Sequence, residues 1–333
     1  MIVCAQESLP SISFVIPTLN ASLHLKVCLK SIRGQKYPQE RVEILILDGG
    51  SGDSTLEIAK EFGCVIYNNP KKLAEYGVQL GVAKAGGELL VVFAADNELI
   101  GRDWIERVVE VFTAEQEISA LWGRLASGEN DPKLNKYFEL IQSDPLNWFL
   151  NRNLKEYLKS TSAIKKDCFI FAVDPKKPLV WGANGLVYRT NKIKNIWSQE
   201  GYLGDNDAFQ YMVEQGDNRV AYFTSPFVYH HHLARLGDWV KKWKRNLMQH
   251  LLDKRQTRNM GWVFTPGFKV RAFLWSVYSA LPVFSLFHSI YLSLKDRNIF
   301  WLYHPWVSCL QFYTYAYLVI FTKKGRMFLR GAI

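Results

Sequence analysis

From Ile12 onward, short and almost wholly apolar runs alternate with segments of helical periodicity, and that rhythm leaves few folds open to the chain. SISFVIPTLN, EILILDG, CVIYN and ELLVVFAAD read as four strands buried on both faces, each ending in turn-forming or polar residues. After the first run, Leu25, Cys28, Leu29 and Ile32 recur at helical spacing; after the fourth, Ile105, Val108, Val109 and Phe112 do the same. The helix that follows EILILDG is expected to open with a Ser54–Glu57 capping box and to stop at Gly63. Strands and helices in strict alternation predict a mainly parallel sheet flanked by helices, an α/β fold. Such sheets bind ligands beyond the carboxyl ends of their strands, where Thr18, Asp48 and Asp96 fall.

The pattern loosens over residues 126–178, which carry two Asp-Pro pairs, Asp131-Pro132 and Asp144-Pro145. WGANGLVYR, a helical GDNDAFQYMVEQG and a strand RVAYFTS restore it. Three histidines, His230, His231 and His232, then close the last strand. Strand alternation turns His230 and His232 to one face and His231 to the other. A helix with Val240, Trp243, Leu247 and Leu251 on one face is expected from about Asp238 to Arg258.

Charge separates the chain into two parts. Residues 231–333 hold 16 basic and 3 acidic side chains together with 21 of the 47 aromatic residues, whereas the first 230 residues are slightly acidic. Within that end, Ala272–Leu294 and Ile299–Thr322 contain no Lys, Arg, Asp or Glu, and only Lys295–Asn298 separate them. Both meet the length for crossing a bilayer, and their Trp and Tyr favour its interface. Lys269, Arg271, Lys323, Lys324, Arg326 and Arg330 flank the open end, as expected for a hairpin whose ends face the cytoplasm. A nucleic-acid surface would interleave its Arg and Lys with exposed aromatics, so nucleic acid is not an expected partner. Five scattered cysteines form no metal or disulfide framework, and the first ten residues lack the basic start of a signal peptide.

FVIPTLN, LDGGSGDST, FAADN, GANG and GDND follow one another in the order and at the intervals of the family-2 glycosyltransferases. The stretch from Ser11 to His232 resembles that family. The resemblance implies a GT-A fold and inverting, hexosyltransferase-type transfer of a sugar from a nucleotide-diphosphate donor, with Mg²⁺ or Mn²⁺. The expected organisation is a tail over residues 1–11, a GT-A domain over 12–232, and a basic amphipathic helix plus hydrophobic hairpin over 233–333.

By the same resemblance, Pro17, Thr18, Asn20, Asp48, Gly50, Ser51 and Asp96 line the donor site. A carboxylate at Asp48 accepts a pyrimidine ring N–H, which makes a uridine-diphosphate sugar the expected donor. Asp96 would hold the cation, whose partners in the diphosphate are hard oxygens. The family writes Asp-x-Asp here, and the first acid is Ala94 in this chain. His230 and His232 are the other expected metal ligands. Asp205 is expected to be the general base, with Asp207 its competitor; the family's acidic neighbour of the base is replaced by Gly204. Trp181, Asn184 and Gly185 resemble the acceptor and sugar shelf. Two readings follow. One is an enzyme at the cytoplasmic face of the cell membrane that acts on a lipid-linked or cell-envelope glycan, as in polysaccharide biosynthesis. The other is a non-catalytic membrane scaffold that keeps the fold. Retention of Asp48, Asp96 and Asp205 together favours the enzyme.

Overall fold

A computed structural model of the chain describes residues 9–150, 153–161, 163–165, 167–177, 179, 184–197, 204–231, 235–248 and 266–330. Each expected strand forms where its apolar run lies, but the fourth stops at Val92, short of Asp96, and the third, Val65–Asn68, is partly exposed where burial on both faces was expected. In chain order the first half runs β1 (Ile12–Thr18), α1 (Ser22–Arg33), β2 (Val42–Asp48), α2 (Thr55–Glu61), β3 (Val65–Asn68) and α3 (Ala74–Lys84). It continues with β4 (Leu89–Val92), β5 (Asn97–Leu99), α4 (Trp104–Ala114), β6 (Ala120–Ala126), α5 (Lys133–Ile141) and α6 (Pro145–Leu150). Then come α7 (Asn153–Lys159), β7 (Ala163–Lys165), β8 (Cys168–Ala172), β9 (Leu186–Arg189), α8 (Thr190–Trp197), α9 (Asp205–Glu214) and β10 (Arg219–His230). The C-terminal part holds α10 (Leu236–Asn246), α11 (Pro266–Ala280), α12 (Pro282–Lys295), α13 (His304–Phe321) and α14 (Lys323–Leu329).

The strands form one sheet in the order β3-β2-β1-β4-β9-β6-β10-β8-β7, with β5 on β10. β3, β2, β1 and β4 are parallel, as expected, and so are β6 and β10. The other half departs from a mainly parallel sheet: β9 runs antiparallel to both β4 and β6, and β8, β7 and β5 add antiparallel pairs. Alternation along β1 sends Ile12, Phe14 and Ile16 to one side, where they pack with α1 and α4. Val15 faces the other side, with residues of α3, α8 and α9. Helix α3 lies close because Gly81 bares its backbone; a methyl there would meet Val15 at 2.3 Å.

One capping expectation changes. Ser54 precedes α2 but makes no side-chain cap bond. Asp53 does that work for two helices, accepting from Thr55 N–H and from Ser22 N–H, both at 3.1 Å. An Asp carboxylate accepts these N–H groups more strongly than a Ser hydroxyl would.

By packing, the chain divides into two units: Met1–Ala126 with Asn153–His231, and Ser127–Arg152 with His232–Ile333. Ser127–Arg152 therefore joins the C-terminal residues although its sequence lies inside the sheet-forming stretch. The cause is visible in α5, whose Tyr137, Phe138 and Ile141 are buried with Trp239 and Trp243 of α10. Phe138 stacks on Trp239 with centroids 3.7 Å apart.

The hydrophobic hairpin takes a different form from the one expected. The first uncharged stretch is two helices, α11 and α12, bent by 90° at Leu281, where Pro282 starts a new helix. Among the described residues no single helix is long and apolar enough to cross a membrane; the bent pair passes that test only when taken together. Helix α10 ends at Asn246, and the rest of the helix expected to Arg258 lies largely outside the described residues.

Candidate active site

β1, β2, β4, β6 and β10 point the same way, and β9 runs opposite to β4, so five strand ends and the start of β9 meet at one sheet edge. Thr18 lies opposite Asp48 in the β1–β2 register. Gly185 N–H donates to Val92 O at 3.2 Å, which brings the β9 start to the end of β4. His230 pairs with Asn97 in the β10–β5 register, one residue from Asp96. The sheet thus collects sequence-distant residues along one edge, in two clusters.

The first cluster is built by Asp48, which is buried. Its Oδ1 accepts from Thr18 Oγ1 (3.0 Å) and from Ser51 Oγ; its Oδ2 accepts from the N–H groups of Gly50 and Ser51, both at 2.8 Å. Gly50 has φ +89°, the left-handed conformation that lets its N–H turn back onto the carboxylate. Asn20 ties in the same loop through N–H to Ser51 Oγ (2.8 Å) and through Oδ1 from Gly52 N–H (2.9 Å). Pro17 lies on β1, directly before Thr18. A carboxylate offers about four lone-pair sites, and protein donors take four bonds here. Asp48 therefore organises the Gly-rich loop, where the sequence suggested an open acceptor for a nucleobase.

Burial pushes the Asp48 carboxyl up, but the bonds from Ser51, Gly50 and Thr18 outweigh it and hold it below its ordinary value. Asp48→Asn should cost about 1.5–3 kcal/mol of stability at neutral pH, the range for a hydrogen bond to a charged group. A group with a lowered native pKa contributes fully above its unfolded pKa, and its contribution disappears as pH falls through the native pKa. The stability gap between wild type and Asp48→Asn should thus be constant near neutrality and close in acid, as read by urea unfolding over a pH series. A gap independent of pH would refute this role.

The second cluster holds Asp96, Asn97, Asn184 and His230. Asp96 Oδ2 stands 3.4 Å from His230 Nε2. Asn97 Nδ2 donates to Asn184 Oδ1 at 3.2 Å, and Asn184 Nδ2 lies 3.2 Å from His230 Nδ1. In this orientation Nδ1 accepts and the His230 proton sits on Nε2, facing Asp96. Asn97 Oδ1 is buried with no hydrogen-bond partner. Turning both amides over lets Asn97 Oδ1 accept from Asn184, Asn184 Oδ1 accept from His230 Nδ1–H, and the Nε2 lone pair face Asp96. The residues present fit a hard divalent cation in that setting. Mg²⁺ takes one or two carboxylates and completes its shell with substrate phosphates and water. Among the described residues no group of three or more His, Cys, Asp or Glu can hold a metal by itself, so a diphosphate would have to supply oxygens.

His231 turns to the opposite face, as strand alternation requires. Its Nε2 is 3.0 Å from Glu98 Oε2 and its ring stacks on His24. Sequence reasoning did not single out Asn97, Glu98 or His24. Asn97 and Glu98 directly follow Asp96, and that adjacency was the available signal.

Asp205 and Asp207 lie on a third element, the first turn of α9. The two competitors separate by burial. Asp207 is fully buried and its Oδ2 accepts from Gly204 N–H at 3.1 Å, which closes the helix start; Asp205 is half-buried. Asn184 is engaged with Asn97 and His230, where a sugar-shelf role was expected, and Gly185 takes φ +74° beside it. Trp181 and His232 lie outside the described residues.

The family model described as glycosyl transferase family 2 matches residues 13–171, which span the first cluster and Asp96. The protein is a glycosyltransferase. A dolichyl N-acetyl-alpha-D-glucosaminyl phosphate 3-beta-D-2,3-diacetamido-2,3-dideoxy-beta-D-glucuronosyltransferase of Methanococcus voltae is 25% identical over 275 residues, 77% of this chain and 78% of that one. A glycosyltransferase of Haloferax volcanii is 31% identical over 114 residues, covering 32% of this chain and 37% of its own length. Among solved structures, S. aureus TarS 1–349 superposes with a TM-score of 0.51 at 12% identity, covering 96% of this chain and 92% of that one. That likeness concerns the fold alone. The glycosyltransferase therefore has the GT-A arrangement, its mixed sheet flanked by helices.

Proposed function

We propose that the glycosyltransferase moves a sugar, with inversion, from a uridine-diphosphate donor to a lipid-linked or cell-envelope glycan at the cytoplasmic face of the cell membrane. The observation that carries the reading is the sheet edge itself, where the Asp48-built loop and the Asp96–His230 pair lie beyond the carboxyl ends of the codirectional strands β2, β4 and β10. The acceptor class draws support from the Methanococcus voltae relative, whose name specifies a dolichyl-phosphate-linked sugar.

In this reading the Gly50–Ser51 loop backs the nucleotide, Thr18 (through Asp48) and Asn20 hold that loop in place, and Pro17 lies beside them at the end of β1. Asp96 and His230 would hold Mg²⁺ or Mn²⁺, which when bound offsets the charge of the departing diphosphate. Asn184, fixed by Asn97, sets whether His230 Nε2 turns a proton or a lone pair toward Asp96. Asp205 takes the proton of the acceptor hydroxyl as that oxygen attacks the anomeric carbon. It stands half-buried in the first turn of α9.

The test is a thermal-unfolding screen of nucleotide sugars with Mg²⁺ or Mn²⁺. A uridine-diphosphate sugar should raise the unfolding temperature in proportion to ligand saturation, more than its purine counterparts do. Label from the protecting donor should then enter material that organic solvent extracts from membranes. A screen in which no nucleotide sugar protects would overturn the proposal.

A further inference from the structure

Three helices of the C-terminal unit turn broad apolar faces outward. Along α12, Val283, Phe287, Ile290 and Leu294 are exposed at helical spacing, while Ser285 and Ser289 on the opposite face are fully buried. α11 exposes Val270, Phe273, Leu274 and Val277 and buries Ser279. α13 exposes Trp306, Tyr313, Tyr317 and Phe321 and buries Ser308, Gln311 and Thr314. Four of the buried polar groups find partners inside the unit: Ser279 Oγ meets Ser308 Oγ at 2.7 Å, Gln311 Nε2 donates to Asp144 Oδ1 at 2.9 Å, and Thr314 Oγ1 donates to Leu310 O at 2.7 Å. Three neighbouring helices thus each expose a broad apolar face, while polar groups are buried inside beside Trp275, Leu292, Val307 and Leu318. An exposed apolar surface of this extent marks an interaction site.

We infer that α11, α12 and α13 form a wedge that embeds in one leaflet of an anionic lipid bilayer; the inference rests on the membrane-face location proposed above. Charge identifies the occupant. Residues 266–330 carry eight Lys and Arg against the single acid Asp296, and Lys269, Lys323, Lys324 and Arg326 are exposed at the helix ends beside the apolar faces. Anionic headgroups match such a rim, and the exposed Trp306, Tyr313 and Tyr317 suit the headgroup boundary. Geometry gives the depth. α11 and α12, with 15 and 14 residues, are about 22 Å and about 21 Å long, each shorter than the ~30 Å hydrocarbon core. Their 90° bend carries the chain into the leaflet and then along it. This replaces the two-helix hairpin expected from the uncharged runs.

The test uses the full chain and sealed vesicles of phosphatidylcholine with or without phosphatidylglycerol. The protein should co-sediment with both, more with the anionic vesicles, and should stay bound in high salt. Phe284, like Phe287, is exposed, and Phe284→Ser with Phe287→Ser should lower the partition coefficient at least ~10-fold, since each removes a large apolar side chain from the lipid-facing surface. Val65→Ser, exposed in the other unit, should not change it. An impermeant thiol reagent sealed inside the vesicles should label Leu281→Cys no more than it labels the wild type. Wild-type binding by the double variant, extra labelling of Leu281→Cys, or a lipid-free dimer that ignores vesicles would each overturn the wedge. Protection by a uridine-diphosphate sugar, measured on the same variants, separates the two readings. Protection without vesicle binding defeats the wedge alone, and vesicle binding without protection in any variant defeats the donor assignment alone.

Discussion

Asp205→Asn should fold, bind its donor as the wild type does, and transfer sugar at least ~10²-fold more slowly, the lower range for loss of a general base. The substitution keeps the size of the side chain and removes its charge and its capacity to take a proton. Asp205 sits on the rim of α9, whose start is closed by Asp207 and Gly204, so its loss should leave the helix intact. The expected signature is a fall in kcat with unchanged thermal protection by donor, because the interaction is made only in the transition state. Asp207→Asn gives the contrast. It weakens the bond to Gly204 N–H in a fully buried place, so it should lower the unfolding temperature, with its effect on turnover following the loss of fold. Near-normal turnover in Asp205→Asn would remove Asp205 from the chemistry.

Asp96→Ala should abolish the dependence of donor binding on divalent cation. With Ala94 where the family has an acid, Asp96 is the carboxylate at this strand end, and among the described residues His230 is the partner placed beside it. Removing it leaves one imidazole, which by itself holds Mg²⁺ poorly because that ion prefers hard oxygen ligands. Titration calorimetry with donor, with and without Mn²⁺, should show a cation-dependent gain in affinity for the wild type and none for Asp96→Ala. Asn184→Ala should reduce the same gain by ~10–100-fold in metal affinity, the usual effect of a partner that orients a ligating histidine. If Asp96→Ala keeps the full gain, the cation is held elsewhere or is not used.

The sequence by itself determined where the strands lie and which residues stand at their ends. A strand buried on both faces must be an apolar run of a few residues, and the chain must turn where that run stops. Thr18, Asp48 and Asp96 were therefore legible as edge residues before any coordinate. The opposite facing of His230 and His231 follows from strand alternation in the same way. What only the tertiary structure decided depends on partners far apart in the chain. The antiparallel insertion of β9 brings Asn184 to Asn97, 87 residues away, and to His230, 46 residues away. No local period encodes such a meeting. The four bonds that turn Asp48 from an open acceptor into the builder of a loop are likewise set by where Thr18 and Ser51 arrive. Ser127–Arg152 joined the C-terminal unit because α5 and α10 carry complementary aromatic faces, which neither segment shows alone. The uncharged C-terminal runs were plain in the sequence, but their direction was not. Apolar residues at helical spacing look the same whether they face a core or a lipid, and only the burial of Ser285, Ser289 and Gln311 shows which side of those helices is the inside.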